Sequence, residues 1–138
     1  MFEADVNYLS VIIAAILVQA LGFAWYSMSF QQAWMQARGI SETDVQGEEP
    51  TSATYMVPLL CSIVIAYTFA RLADMTGADT IGYCLALAAF VWAGFAGTVQ
   101  LIQINFSPRA DKVPTFLIEG GYQLGSFLIV GLVIGLFQ

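Results

Sequence analysis

Histidine is absent from this chain, and charge of either sign is scarce. Four Lys and Arg together with ten Asp and Glu amount to 10% of the 138 residues, against about 25% in an ordinary soluble domain. So few bases, with a net charge of -6, exclude a nucleic-acid binder, because phosphate recognition needs clustered Lys and Arg. Without His, without Cys at ligand spacing and without a carboxylate pair inside the apolar segments, haem, zinc and di-iron sites have no ligands to build on, and no cofactor is expected. Neither a phosphate-cradling Gly loop nor a nucleophile–base pair is legible, so the chain is not expected to be an enzyme.

What the sequence does have is uninterrupted apolar length. Val6 to Phe30, Pro50 to Ala70 and Thr80 to Pro108 carry no charge, and Val113 to Gln138 carries only Glu119. A run of about 18 or more apolar residues crosses the roughly 30 Å hydrocarbon layer as a helix. The expected architecture is an all-α integral membrane four-helix bundle of two antiparallel hairpins, in one domain with spans near 7–28, 55–72, 80–105 and 114–137. The first segment has Glu3 and Asp5 but no base before it, and it is too long for a signal core, so it is read as a retained span. Cys61 and Cys84 start successive antiparallel spans and should differ in depth by roughly 18 Å. That exceeds the Cα separation of about 7 Å that a disulfide tolerates, and both are read as packing residues.

The connection 29–53 opens with Phe30, Ala33, Trp34 and Ala37 at helical spacing, closed by Gly39. This pattern predicts a short interfacial amphipathic helix. Ser41 with Asp44 has the form of a capping box, and 46–52 has no apolar period. Pro58 is placed in the first turn of the second span, where no backbone donor is lost. Arg38, Arg109 and Lys112 lie in the first and third connections and Arg71 in the second. The positive-inside rule then puts 29–53 in the cytoplasm and both termini outside. Tyr8, Tyr67 and Tyr83 would form the outer aromatic belt, and Trp25, Tyr26, Trp34 and Tyr55 the inner one. Ala20–Ala24 faintly echoes Trp92–Ala96, although Ala, Gly and Phe are common enough here for chance to produce the likeness.

Glu119 is the sharpest single feature. A charge roughly 7 to 8 Å past Pro114 along the helix normally faces a partner or a wet cavity. Tyr122, Gln123 and Ser126 share its face. Two readings stay open: a proton- or cation-binding carboxylate facing the bundle interior, or a structural acid satisfied by Tyr or Gln or reaching the interface near Lys112. Gln19, Gly22 and Tyr26 on one face of span one, with Trp25 beside it, and Gln100, Gln103 and Asn105 in span three fall at the same depth. They form either a pocket lining or interhelical hydrogen bonds. Gly121 with Gly125, Gly131 with Gly135, and the Ala86–Ala89–Ala93–Gly97 stripe mark close helix packing, within the chain or between copies. Trp92, near mid-membrane, is read as a packing residue.

Asn7-Tyr8-Leu9, Gly22-Phe23-Ala24-Trp25-Tyr26-Ser27, Ala33-Trp34-Met35 with Gly39, and Glu119-Gly120-Gly121-Tyr122-Gln123 together resemble the DUF1761 family over the whole chain. The most specific part is Trp25-Tyr26-Ser27 followed by Ala33-Trp34-Met35. The resemblance implies a small bacterial inner-membrane protein of about four helices with no established activity. The family often has His after the Tyr of the last span, where this chain has Gln123, so a titrating Glu–His pair is absent. The leading functional expectation is ion, proton or small-ligand handling of transporter or channel type. Glu119, Tyr122, Gln123, Tyr26, Gln103 and Trp25 would be the ligand- or ion-binding residues, in a homo-oligomer within the lipid bilayer. The alternative is a non-catalytic accessory subunit packed against a partner membrane protein.

Overall fold

A computed structural model describes residues 6–40 and 52–137. The proposed capping box at Ser41 and Asp44 and the aperiodic stretch that follows lie outside the described residues, apart from Ser52. Among the described residues there are five helices: α1 (Tyr8–Ser29), α2 (Gln31–Arg38), α3 (Ser52–Thr76), α4 (Ile81–Asn105) and α5 (Lys112–Leu136). All but α2 are long and apolar enough to cross a membrane. Antiparallel α1 and α3 pack as one hairpin and α4 and α5 as the other, and the hairpins join mainly through α1 against α5.

Local chemistry sets the helix ends. Asn7 caps α1, its side-chain oxygen accepting from the Leu9 and Ser10 amides at 3.1 and 3.3 Å, which satisfies two donors left over at a helix start. Thr80 does the same for α4 by accepting from the Tyr83 amide. Gly39 ends α2 in the left-handed region, at φ 71°, where the Arg109 carbonyl oxygen would stand 2.6 Å from any added Cβ. The second span starts at Ser52, earlier than its sequence suggested, so Pro58 stands inside α3 and not in its first turn.

Two stretches wind as π-helix: Ala24–Ser29, which completes α1, and Trp92–Ala96 inside α4. They fall beside or on the two echoing sequence segments. A π turn accommodates an extra residue, and one residue corresponds to about 100° of rotation. This shift offsets the face read after the turn from the face read before it. Of the expected stripe on span three, Gly97 is buried, but Ala86 and Ala93 point outward and Ala88 takes the inner position.

At the end away from α2 the core is dry and small. Val11, Ala14 and Val18 meet Ala66, Phe69 and Ala73, with Cys84, Ala88, Val130 and Ile134 beyond them. The Gly pairs of α5 serve this chain's own packing. An added Cβ at Gly131 would meet the Cys84 carbonyl oxygen at 2.8 Å, and one at Gly135 the Ile81 Cα at 2.9 Å. Gly125 and Gly121 seat Leu21 and Trp25 of α1 in the same way. Cys84 is fully buried, whereas Cys61 is exposed, so only the first is a packing residue. Trp92 lies against Phe116 with ring centroids 6.4 Å apart.

Candidate functional site: a carboxylate held from three helices

The first half of α5 carries Glu119 into the α2 side of the bundle, where its carboxylate is met from two other helices. Arg38, the last residue of α2, donates to Oε1 from Nε at 3.1 Å and from Nη2 at 2.7 Å, and Nη2 also contacts Oε2. Gln100 of α4 donates to Oε2 at 3.0 Å. Trp34, one turn before Arg38, offers its indole N–H to Oε1 at a long 3.4 Å. Gln123 extends the chain by donating to the Gln100 side-chain oxygen at 2.6 Å. The Arg38 and Glu119 side chains are 24% and 14% exposed, so the pair is largely withdrawn from solvent. A carboxylate offers about four lone-pair directions, and donors from Arg38, Gln100 and Trp34 occupy both oxygens.

Sequence periodicity explains why α2 can do this. Trp34 and Arg38 are four apart and share a face with buried Ala37, so one face of a two-turn helix presents an indole and a guanidinium together. That helix is pinned from the α4–α5 link as well: the Asp111 amide donates to the Ala37 carbonyl at 2.6 Å, and Arg109 donates to the Gly39 carbonyl. Lys112 stays out of the network and instead donates to the Ile104 and Ser107 carbonyls at the end of α4.

Aromatic residues from the π-helical end of α1 build the adjoining wall. The Trp25 indole donates to the Ile118 carbonyl at 2.9 Å and tilts over Phe30 with centroids 4.7 Å apart. Tyr26 stands edge-on to Trp34 at 5.7 Å and to Tyr122 at 5.2 Å. These rings turn toward the protein, so Trp25, Tyr26 and Trp34 form an internal cluster and not a lipid-facing belt.

On the other side of Tyr26 and Tyr122 lies a groove of about 810 Å³ between α1 and α3. Ile16, Ala20, Phe23, Pro58 and Leu59 supply its apolar length, Ser27 and Thr54 stand with the two tyrosines toward the α2 side, and Gln19 and Tyr55 lie farther along. Gln19 also ties the two helices together by donating to the Tyr55 carbonyl at 3.2 Å. The Tyr122 hydroxyl rests against Gly22, whose added Cβ would sit 3.0 Å from it.

The expected site residues thus divide. Glu119 and Gln123 belong to the polar network, Tyr26 and Tyr122 to the groove wall, and Trp25 to the joint between α1 and α5. Gln103 joins none of these; its side chain is exposed. The face of α4 that reaches α5 is the one with Gly97, Gln100 and Ile104, which explains why Gln100 points inward and Gln103 does not. Arg38 and Trp34 were not among the expected binding residues. Trp34 was marked only by its place in the most specific part of the family resemblance, and Arg38 only as the sole base in the first connection, four residues after that Trp.

No curated protein and no solved structure matches this chain. A family match covers residues 9–135, reaching from the first turn of α1 to the last turn of α5 and so including both the network and the groove. The chain therefore belongs to DUF1761, a family described as a protein of unknown function.

Proposed function

We propose that this protein handles a small ligand that enters laterally from the bilayer into the groove between α1 and α3, and that the Glu119–Arg38 network holds the groove wall in place. The observation that carries this reading is the position of Tyr26, which touches Trp34 of the network on one side and lines the groove on the other. A volume near 810 Å³ falls within the range of about 300 to 1,000 Å³ typical of small-molecule sites. Proton or cation binding by Glu119 has less support, since an entering ion would have to displace Arg38 or Gln100 from oxygens they already fill. Arg38, Arg109 and Lys112 gather at the end that carries α2, with Arg71 at the other, which favours α2 on the cytoplasmic face of a bacterial inner membrane. No catalytic role is proposed.

The test is the small-molecule complement that stays with the full chain after purification in mild detergent, read by native mass spectrometry. Ala20→Trp, on the exposed face of α1, should fill the groove and remove the bound molecule while the melting temperature stays unchanged. An identical complement in both proteins would refute the groove as the site. Proton or cation flux in proteoliposomes that Glu119→Gln abolishes would restore the ion-carrying reading.

A second reading, an accessory subunit or a homo-oligomer, has one observation in its favour. The third span is the least buried of the four, and Gly82 and Gly94 on it have nothing within 4 Å of an added Cβ. Co-purification with a fixed partner, or a stable dimer in mild detergent, would support it.

A further inference from the structure

We infer that the groove takes an uncharged amphipathic lipid: one hydrocarbon chain of single-leaflet length, ending in a hydroxyl- or carbonyl-bearing head held by Tyr26 and Tyr122. This rests on the groove being the ligand site, as proposed above, and adds the chemical class of the ligand.

Three observations converge on that class. The first is charge. Among the described residues, none that lines the groove carries a charge near neutral pH, since its only titratable groups are the phenols of tyrosines. An ionic head placed there would lose its hydration without meeting a countercharge among the described lining residues. Arg38 and Glu119 are committed to each other on the Trp34 side of the Tyr26 ring.

The second is unmet hydrogen bonding. Among the described residues, neither the Tyr26 nor the Tyr122 hydroxyl makes a hydrogen bond, and neither is fully buried, so both are open to the groove that their residues line. A phenol hydroxyl in an apolar medium normally finds a partner, and a hydroxyl or carbonyl on a bound molecule would accept from or donate to both. The unpaired hydroxyls stand at the polar end of the groove, beside Ser27 and Thr54.

The third is length. The groove runs along α1 from Ser27 to Ile16, which at 1.5 Å per residue is roughly 16 Å. Half of a roughly 30 Å hydrocarbon layer is the reach of one lipid chain. Tyr26, Ser27 and Thr54 occur at the interfacial end of this path, with Ile16 and Leu59 deeper; Gln19, one turn from Ile16, is the polar side chain among the deeper described residues, and its amide already donates to the Tyr55 carbonyl, so head and tail are laid out in the order in which the leaflet itself presents them.

Photolabelling with competition tests the inference. The full chain in nanodiscs is labelled with a diazirine-bearing monoacylglycerol, and monooleoylglycerol, oleate and oleylamine compete at a pH where the last two are ionised. Labelling is expected on α1 and α3 around Ala20, Phe23 and Leu59. Monooleoylglycerol should compete at a concentration at least ten-fold lower than either ion. Tyr26→Phe with Tyr122→Phe, which keeps both rings, should weaken the neutral probe by about ten-fold, and Ala20→Trp should abolish labelling. Equal or better competition by oleate or oleylamine would overturn the neutral class and leave the groove as the ligand site. Neutral binding untouched by the double Phe variant would overturn the role given to the hydroxyls. No groove labelling by any probe would sink both the lipid class and the site beneath it.

Discussion

At the end that carries α2, helices meet through a shared carboxylate and a row of edge-on rings; at the opposite end, α4 and α5 meet backbone to side chain across Gly131 and Gly135. The first arrangement is directional and wide. Rings and long side chains fill the joints of α1 and α2 with α5, and a groove remains between α1 and α3. The second is close and featureless, with Ala, Val and Gly filling the volume and few polar groups to satisfy. In a bilayer, where no water-driven hydrophobic effect pulls helices together, close contact suits permanence and a polar network suits fixing one orientation. The groove lies beside the end built for orientation.

The largest effect should come from the close end. Gly131→Leu would drive a side chain into the Cys84 carbonyl and the Ala88 Cβ, and overpacking of this kind should cost about 3 kcal/mol or more, measured by SDS-induced unfolding in mixed micelles. At the polar end, Glu119→Met or Arg38→Met singly should cost about 2 kcal/mol, below the value for a fully buried pair, because both side chains retain some exposure. The double Met variant should regain most of that loss, and losses that simply add would show that the pair is not a coupled unit. Thr115→Val should act in the opposite direction. Its hydroxyl is fully buried and, among the described residues, unpartnered, so replacing it with a methyl should stabilise by about 0.5 to 1 kcal/mol. Gln103→Leu should change stability by less than about 0.5 kcal/mol, and a larger loss would mean that Gln103 shares the work assigned to Gln100.

The spans were legible because charge is excluded from them so strictly that their limits are marked by where Asp, Glu, Lys and Arg resume. Glu119 stood out for the same reason, and its companions Tyr122 and Gln123 follow from helical spacing alone. Its main partner did not. Arg38 is 81 residues away and reaches the carboxylate because α2 folds back against α5, a consequence of tertiary docking that no local period encodes. Gln100 and Gln103 looked equivalent because they stand three apart, and the π turn at Trp92–Ala96 offsets the register from which their faces would be read. The Gly pairs of α5 announced close contact but not with what, since a small residue carries no address for its neighbour. The groove was the least visible feature, since it is a gap left between two helices and depends on how residues far apart in sequence, such as Gln19, Pro58 and Tyr122, come to line one space.

The clasp between the two connections on the α2 side bears on the sequence of events during synthesis. The Ala37 and Gly39 carbonyls are taken by Asp111 and Arg109, residues that emerge from the ribosome some seventy positions later. Until these later residues are delivered, the short helix after the first span has its ring contact with Tyr26 but not this clasp, so a chain halted after its second crossing would hold two spans without their clamp. Insertion of the final helix therefore completes the first loop as well as the last, and maturation would be recorded as late protection of residues near Trp34 in a pulse-labelling experiment.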